Sequence, residues 1–195
     1  MLTPEFVQAL LADVESDRIE RTISTSNTDK FAQAICAFAN DLPRHAQPGY
    51  LIIGADDRGR PCGLHISDQL LQNLGALRAD GNILPLPAMT VSKIGLPDGE
   101  VAVVQVQPSD LPPVRYKGQI WVRVGPRKAI ANEQEERLLM ERRVAQARSF
   151  DAQPCLEATL DDLDADKFLL LYRKRAIAPD VIAANGRTLA QQLAG

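Results

Sequence analysis

The sequence is poor in the residue types that mark several classes of protein. Its 195 residues include three cysteines, two histidines and one tryptophan, and aromatic residues make up 5% of the chain. Cys36, Cys62 and Cys155 are odd in number and widely spaced, which argues against a disulfide framework and against a zinc site. His45 and His65 are too few and too far apart to indicate a metal pair or an acid–base relay.

Long apolar runs are missing as well. No run approaches the roughly 18 to 20 residues that a membrane helix needs, and residues 1–5 lack the basic-then-apolar pattern of a secretion signal. No glycine-rich loop is followed by Lys-Ser or Lys-Thr, which is the pattern of a nucleotide-hydrolysing phosphate loop. We therefore expect a cytoplasmic protein without membrane contact and without ATPase activity.

The remaining composition is that of an ordinary folded protein. Hydrophobic residues make up 45% and charged residues 24%, so the chain can form one well-cored domain and a smaller appendage. Residues 149–154 resemble a boundary. We predict a domain over residues 1–148, followed over 149–195 by a linker and the start of a truncated helical region.

The most distinctive stretch covers residues 34–64, AICAFANDLPRHAQPGYLIIGADDRGRPCGL. The run Tyr50 to Ile53 is apolar, rich in β-formers and bounded by glycines, which is typical of a buried strand. A turn over residues 57–60 precedes a second apolar path at residues 62–64. This order predicts a β-hairpin whose tip carries Asp56, Asp57, Arg58 and Arg60.

Hydrophobic spacing and turn residues predict the other elements. Helices are expected over residues 3–13, 29–40, 66–80 and 131–143, the first with Phe6, Leu10 and Val14 on its apolar face. An edge strand is expected over 19–23, and hairpins over 89–106 and 114–124. The predicted fold class is α/β (α+β), a mixed sheet built from hairpins, flanked by helices and followed by a helical C-terminal extension.

Basic residues cluster although the net charge is −3. Residues 115–128 contain no acidic residue and five basic ones, namely Arg115, Lys117, Arg123, Arg127 and Lys128. Salt confines electrostatic fields to about 8 to 10 Å, so such a face can contact phosphates on an acidic protein. A solvated strand face is the alternative. Tyr116 and Trp121 lie within this run and are either core residues or platforms for stacked bases.

Several motifs together resemble one family. ESDRIE at residues 15–20, AFAN at 37–40, LIIGADDRG with CGL at 51–64, and the segments at 104–125 are similar to the signature of the Schlafen AlbA-like domain. The resemblance spans residues 15–142. The family is regarded as DNA-binding, and it was formerly grouped with divergent AAA ATPases. Two departures stand out, a longer link at residues 41–49 and Arg21-Thr22 where Phe-Lys is usual.

The resemblance implies a DNA-binding module of a bacterial transcriptional regulator or of a RecG-like helicase protein. Nucleic acid, DNA in the first place, is then the partner, no cofactor is expected, and self-association is a further expectation. In some Schlafen proteins two glutamates and an aspartate support metal-dependent RNA cleavage. The matching residues here are Glu15, Glu20 and Asp57, which would hold Mg²⁺ or Mn²⁺. A metal-dependent endoribonuclease and an interaction domain therefore remain as alternatives.

Overall fold

The chain folds in two units, Met1–Arg148 and Ser149–Gly195, and each is described by itself. The structure is a computed structural model. It describes residues 2–13, 16–146, 159, 162, 164–176, 178–184 and 186–193. Val14, expected on the apolar face of the first helix, and the expected boundary at residues 149–154 lie outside the described residues.

Helices in the described part of the first unit begin at capping side chains. They are α1 (Pro4–Ala12), α2 (Thr28–Asn40), α3 (Asp68–Ala76) and α4 (Glu133–Gln146). In each case a side-chain oxygen of the residue before the helix accepts a main-chain N–H of the first turn. The capping residues are, in order, Thr3, Asn27, Ser67 and Asn132. The predicted helices are confirmed, although α3 is shorter at both ends than its apolar spacing indicates.

Strands in the described part of the chain number eight. They are β1 (Ile19–Thr22), β2 (Gly49–Ile53), β3 (Ile83–Leu84), β4 (Met89–Leu96), β5 (Gly99–Val106), β6 (Arg115–Tyr116), β7 (Trp121–Val124) and β8 (Arg127–Ile130). Four of them form the central sheet in the order β1-β2-β5-β4. β1 runs parallel to β2, and the other pairs are antiparallel. The mixed sheet flanked by helices is thus confirmed.

Side chains of the central sheet alternate between two cores, as the two-residue period of a strand requires. Leu51, Ile53 and Val104 join the core that α2 and α3 cover. Ile52 and Val103 join the core that contains residues of α1. Every residue of β2 is buried, because the strand is central and both its faces are covered.

The hairpin expected over residues 50–64 is wrong in its return path. The two neighbours of β2 are β1 and β5, so no edge of β2 remains for residues 62–64. The turn closes on itself through an Ala55–Pro61 bridge, and the Cys62 N–H donates to the Gly54 carbonyl. Gly63 has a φ of +70° and turns the chain away before a strand can form.

The pairing expected within residues 114–124 is also wrong. β6 pairs with β3, and β7 pairs with β8 through the two-residue turn Gly125–Pro126. Tyr116 and Gln119 form a single bridge across the two-residue turn of Lys117 (φ +48°) and Gly118, and no longer ladder follows because β6 pairs with β3 and β7 with β8.

The first helix buries Leu10 of the predicted face but not Phe6. Val7, Leu10 and Leu11 are buried, whereas Phe6 is 42% exposed and meets the edge of the Tyr50 ring. The spacing pattern favoured Phe6 because it is large and apolar, but the shorter Val7 lies directly over the sheet core.

The second unit is helical where it is described. Its elements are α5 (Ala165–Lys167), a π-helical turn (Phe168–Tyr172), α6 (Arg173–Ala176), α7 (Pro179–Ala184) and α8 (Leu189–Leu193). Asp164 caps α5, and Thr188 accepts the Gln191 N–H at the start of α8. Within the described residues of both units, no helix has the length and apolarity to cross a membrane.

Two glycines with similar backbone angles allow a test of the contact between the 55–61 turn and α1. Gly59 (φ +77°) and Gly63 (φ +70°) both adopt the left-handed conformation. A Cβ at Gly59 would lie 1.9 Å from the Leu11 carbonyl oxygen, whereas a Cβ at Gly63 would meet no atom within 4 Å. We expect Gly63→Ala to lower the free energy of unfolding by about 1 kcal/mol through backbone strain. Gly59→Ala should cost about 1 to 3 kcal/mol more, because it also forces α1 to move.

Urea unfolding of the two variants and the parent measures this difference. Equal losses in both variants would contradict close packing of the 55–61 turn against α1.

Candidate functional site

The hairpin of β7 and β8 lies between two helices of the first unit. On one face, Val122 packs in a small core with Leu139 of α4. On the other face, the Arg123 guanidinium lies 5.2 Å from the centroid of the Phe38 ring in α2, and Trp121 packs against the main core. The two helices thereby fix the orientation of the hairpin.

A buried ion pair joins this hairpin to the central sheet. The Arg123 side chain is 2% exposed, and its Nη1 donates to Oε2 of Glu20 in β1. Its Nη2 donates to the main-chain oxygens of Ser16 at 2.9 Å and Pro126 at 2.8 Å. The Nζ of Lys128 donates to the other Glu20 oxygen, Oε1. Both carboxylate oxygens of Glu20 therefore have a cationic partner.

Arg123 departs from the expected exposed basic face. Residues 121 and 123 of β7 share the inner side of the hairpin, because side chains alternate along a strand. The guanidinium consequently lies inside the protein, where it binds the carboxylate and main-chain oxygens instead of solvent.

The first turn of α2 is flanked by two lysines, one from the turn after β6 and one from β8. The Lys117 Nζ lies 2.9 Å from Oδ1 of Asp29, and the Lys128 Nζ donates to the Lys30 carbonyl at 3.2 Å. Hydrogen bonds from the Tyr116 hydroxyl and Lys117 lower the pKa of Asp29, and the bond to Asp29 raises the pKa of Lys117. Both groups are therefore charged near neutral pH.

The remaining residues of the basic segment are more open to solvent. Arg127 is exposed at the end of the hairpin turn. Arg115 is 38% exposed, donates to the Gly118 carbonyl and lies 4.0 Å from Glu136. Tyr116 is buried, so its ring is a core residue and not a platform for bases. Trp121 likewise packs against the core.

The expected carboxylate set is not assembled by the described residues. Glu15 lies outside them. Glu20 faces α2, whereas its neighbour Arg21 faces α1 and donates to the main-chain oxygens of Leu10, Asp13 and Asp57. The Asp57 main chain thus lies on the side of β1 that is opposite to the Glu20 carboxylate. Within the ranges that the structure describes, no group of three His, Cys, Asp or Glu residues could hold a metal ion.

Sequence reasoning missed the role of Asn40, the last residue of AFAN. Its side chain is buried, and its Nδ2 donates to the carbonyls of Val114 at 2.9 Å and Trp121 at 2.8 Å. Its Oδ1 accepts the Val114 N–H at 2.7 Å. The same carbonyl of Val114 accepts from the Cys36 thiol, whose pKa is raised by burial to about 12. The sequence signal for this role was a polar amide side chain at the end of an otherwise apolar helix.

The long link at residues 41–49 is a loop held by several hydrogen bonds. Asp41, Arg44 and Ala46 have positive φ angles, and the Asp41 carboxylate accepts the N–H groups of His45 and Ala46. Arg142 of α4 donates to two carbonyls at the start of the loop. A groove of about 890 Å³ lies between this loop, residues 108–112 and α4. Its lining mixes acidic and basic side chains, so it has no strong preference for an anion.

Comparison with known proteins identifies a family. A profile described as Schlafen, AlbA_2 matches residues 15–132, which confirms the resemblance indicated by the sequence motifs. No curated protein gives a significant match to the chain.

Two solved structures are similar to it. One is the N-terminal domain of an ATP-dependent DNA helicase RecG-related protein from Nitrosomonas europaea, with 25% identity over 56% of this chain and 76% of that chain and a TM-score of 0.46. The other is the DIP2311 protein from Corynebacterium diphtheriae, with 21% identity over 87% of this chain and 36% of that chain and a TM-score of 0.48.

Removal of the Glu20 charge tests whether this carboxylate has a structural role. In Glu20→Gln, the buried Arg123 has no counter-charge, so we expect the free energy of unfolding to fall by about 3 kcal/mol. Glu136→Gln removes a carboxylate that lies 4.0 Å from the partly exposed Arg115. This control should cost less than about 1 kcal/mol. Urea unfolding measures both, and an unchanged or increased stability of Glu20→Gln would contradict a structural role.

The Asn40 amide allows a test in which pH is the variable. Asn40→Asp replaces two N–H donors by a buried carboxyl group, whose pKa we expect to rise above the unfolded value of about 3.9. Below that pH both states are protonated, and the carboxyl can still donate one hydrogen bond. The folded state therefore loses stability, relative to the parent, as pH rises from about 4.

Asn132→Asp is the matched control, because Asp serves equally well as an N-cap at the exposed start of α4. Urea unfolding of both variants between pH 4 and pH 7 measures the difference. A loss for Asn40→Asp that does not depend on pH would contradict burial of this side chain.

Proposed function

Because the chain belongs to the Schlafen AlbA_2 family, we propose that it is a nucleic-acid-binding domain. We propose further that it binds the phosphates of DNA through four basic side chains, here called the basic face. The basic face comprises Arg115, Lys117, Arg127 and Lys128. The role of such a domain in a bacterial transcriptional regulator, and its self-association, are parts of this proposal that rest on the family resemblance.

The observation that carries the proposal is the approach of the turn after β6 and of strand β8 to the first turn of α2. Lys117 reaches this turn through Asp29, and Lys128 reaches it through the Lys30 carbonyl. Residues that are distant in sequence thus contribute positive charge to one surface. The net charge of −3 does not prevent phosphate binding there, because salt limits the reach of distant acidic residues to about 8 to 10 Å.

The members of the basic face differ in how readily they can leave a protein partner and bind a phosphate. Lys117 is 53% exposed, so water weakens its ion pair with Asp29 and a phosphate can replace the carboxylate. Arg127 is exposed at the hairpin turn. Lys128 is largely buried against Glu20 and contributes mainly to the local field. We therefore assign the principal phosphate contacts to Lys117 and Arg127.

The ribonuclease alternative receives no support from a specific contact. Each oxygen of Glu20 is paired with a protein cation, Arg123 or Lys128, whose positive charge opposes the approach of a metal ion. Mg²⁺ or Mn²⁺ is consequently not part of the proposal.

Salt dependence of binding tests the basic face. Fluorescence anisotropy with a labelled 20-base-pair DNA duplex should show that the logarithm of the association constant falls linearly with the logarithm of salt concentration. The variant Lys117→Gln with Arg127→Gln should reduce the magnitude of this slope by about 1.8, since each lost phosphate contact contributes about 0.9.

The matched control is Arg58→Gln with Lys93→Gln. It removes the same charge from the 55–61 turn and from β4. We expect its slope to equal that of the parent. An equal reduction in the control would show that the effect reflects net charge. An affinity of the parent that did not change with salt would overturn the phosphate-binding proposal.

A further inference from the structure

The turn of the β7–β8 hairpin exposes an apolar side chain beside an exposed arginine. Val124 is 58% exposed, although the valine two residues before it is fully buried. Gly125, with a φ of +60°, and Pro126 form the two-residue turn, and Arg127 and Lys128 follow directly. Here the hairpin tip denotes residues 124–127.

The hairpin tip is held at its base by the buried Arg123. One nitrogen, Nη2, donates both to the Pro126 carbonyl at 2.8 Å and to the Ser16 carbonyl at 2.9 Å. The same guanidinium is paired with Glu20. The turn is therefore tied to the start of β1, and Val124 is presented on an anchored element. A ligand that binds Val124 therefore costs the protein little conformational entropy, because the backbone is already fixed.

The combination of an apolar side chain and an adjacent exposed cation matches the surface of duplex DNA. Phosphates line both edges of the major groove, and the methyl group of each thymine is an apolar contact on its floor. Arg127 lies opposite Val124 across the hairpin and has the charge to meet an edge, and Val124 has the apolar surface to meet the floor. This charge complementarity favours a nucleic acid over a protein partner.

We propose that the hairpin tip enters the major groove of B-form DNA and that Val124 contacts thymine methyl groups there. The inference rests on the proposed nucleic-acid-binding function. The B-form major groove is about 12 Å wide and admits a two-stranded ribbon. The major groove of A-form RNA is too deep and narrow for side chains to read. Duplex DNA is thus the preferred ligand.

Replacement of thymine by uracil removes the methyl group without altering the phosphates. Two A·T-rich DNA duplexes of one sequence, one with dT and one with dU at every thymine position, are compared by fluorescence anisotropy at fixed salt. We expect the parent to bind the dT duplex about fourfold more tightly for each methyl group that it buries. Val124→Ser should bind the two duplexes equally and retain the salt dependence of the parent.

Val144→Ser is the control variant. Val144 is 75% exposed on α4, so the same substitution there removes an exposed apolar side chain outside the hairpin. This variant should keep the preference of the parent for the dT duplex. An RNA duplex of the same sequence should bind more weakly than either DNA duplex.

The outcomes separate this inference from the function on which it rests. Equal binding of the dT and dU duplexes by the parent would overturn the inference, as would a dT preference that survives Val124→Ser or an RNA duplex that binds as tightly as DNA. Salt-dependent binding would still support phosphate contacts in each of those cases. Absence of salt-dependent binding to every duplex would instead overturn the proposed function.

Discussion

The pairing of Arg123 with Glu20 is the interaction on which the rest of the site depends. It joins β7 to β1, and the same guanidinium lies against Phe38 of α2 and holds the turn at Pro126. Burial of the Arg123 charge is costly, and the partly exposed Glu20 and the main-chain carbonyls that accept from Nη2 offset that cost, although the buried Nε has no hydrogen-bond partner among the described residues. Lys128 binds the second oxygen of the same carboxylate, so its position also follows from this pair.

This arrangement also affects what the acidic residues can do. A carboxylate that holds a divalent cation supplies uncompensated negative charge, whereas both oxygens of Glu20 are paired with protein cations. The charge of Glu20 therefore fixes the hairpin within the protein. Lys117 and Arg127 are not paired with Glu20, and their charged side chains are exposed. Under the function proposed above, this outward charge is what an anionic polymer meets.

Local patterns predicted the elements whose environment is local. β2 was identified because both its faces are buried, and the β4–β5 hairpin because Asp98-Gly99 marks a turn. The fate of Arg123 was beyond such reasoning, because a charged run usually faces water and its partner lies 103 residues away. β8 was missed for a similar reason, since the exposed Arg127 and Ile130 hide its alternation. The path of residues 62–64 depends on which strands occupy the two edges of β2, namely β1 and β5. The sequence of residues 50–64 alone does not contain this information.

The three bonds of Asn40 have a consequence for the cooperativity of the domain. The amide holds Val114 and Trp121, so it fastens both ends of one irregular segment to the last turn of α2. Neither end can open alone without the loss of a shared, buried donor or acceptor. Residues 114–121 and the end of α2 should therefore behave as a single opening unit, whose amide protons share one free energy of opening in hydrogen exchange. Because this unit supports the base of the β7–β8 hairpin, the outward-facing cations lie next to a part of the chain that opens only as a whole.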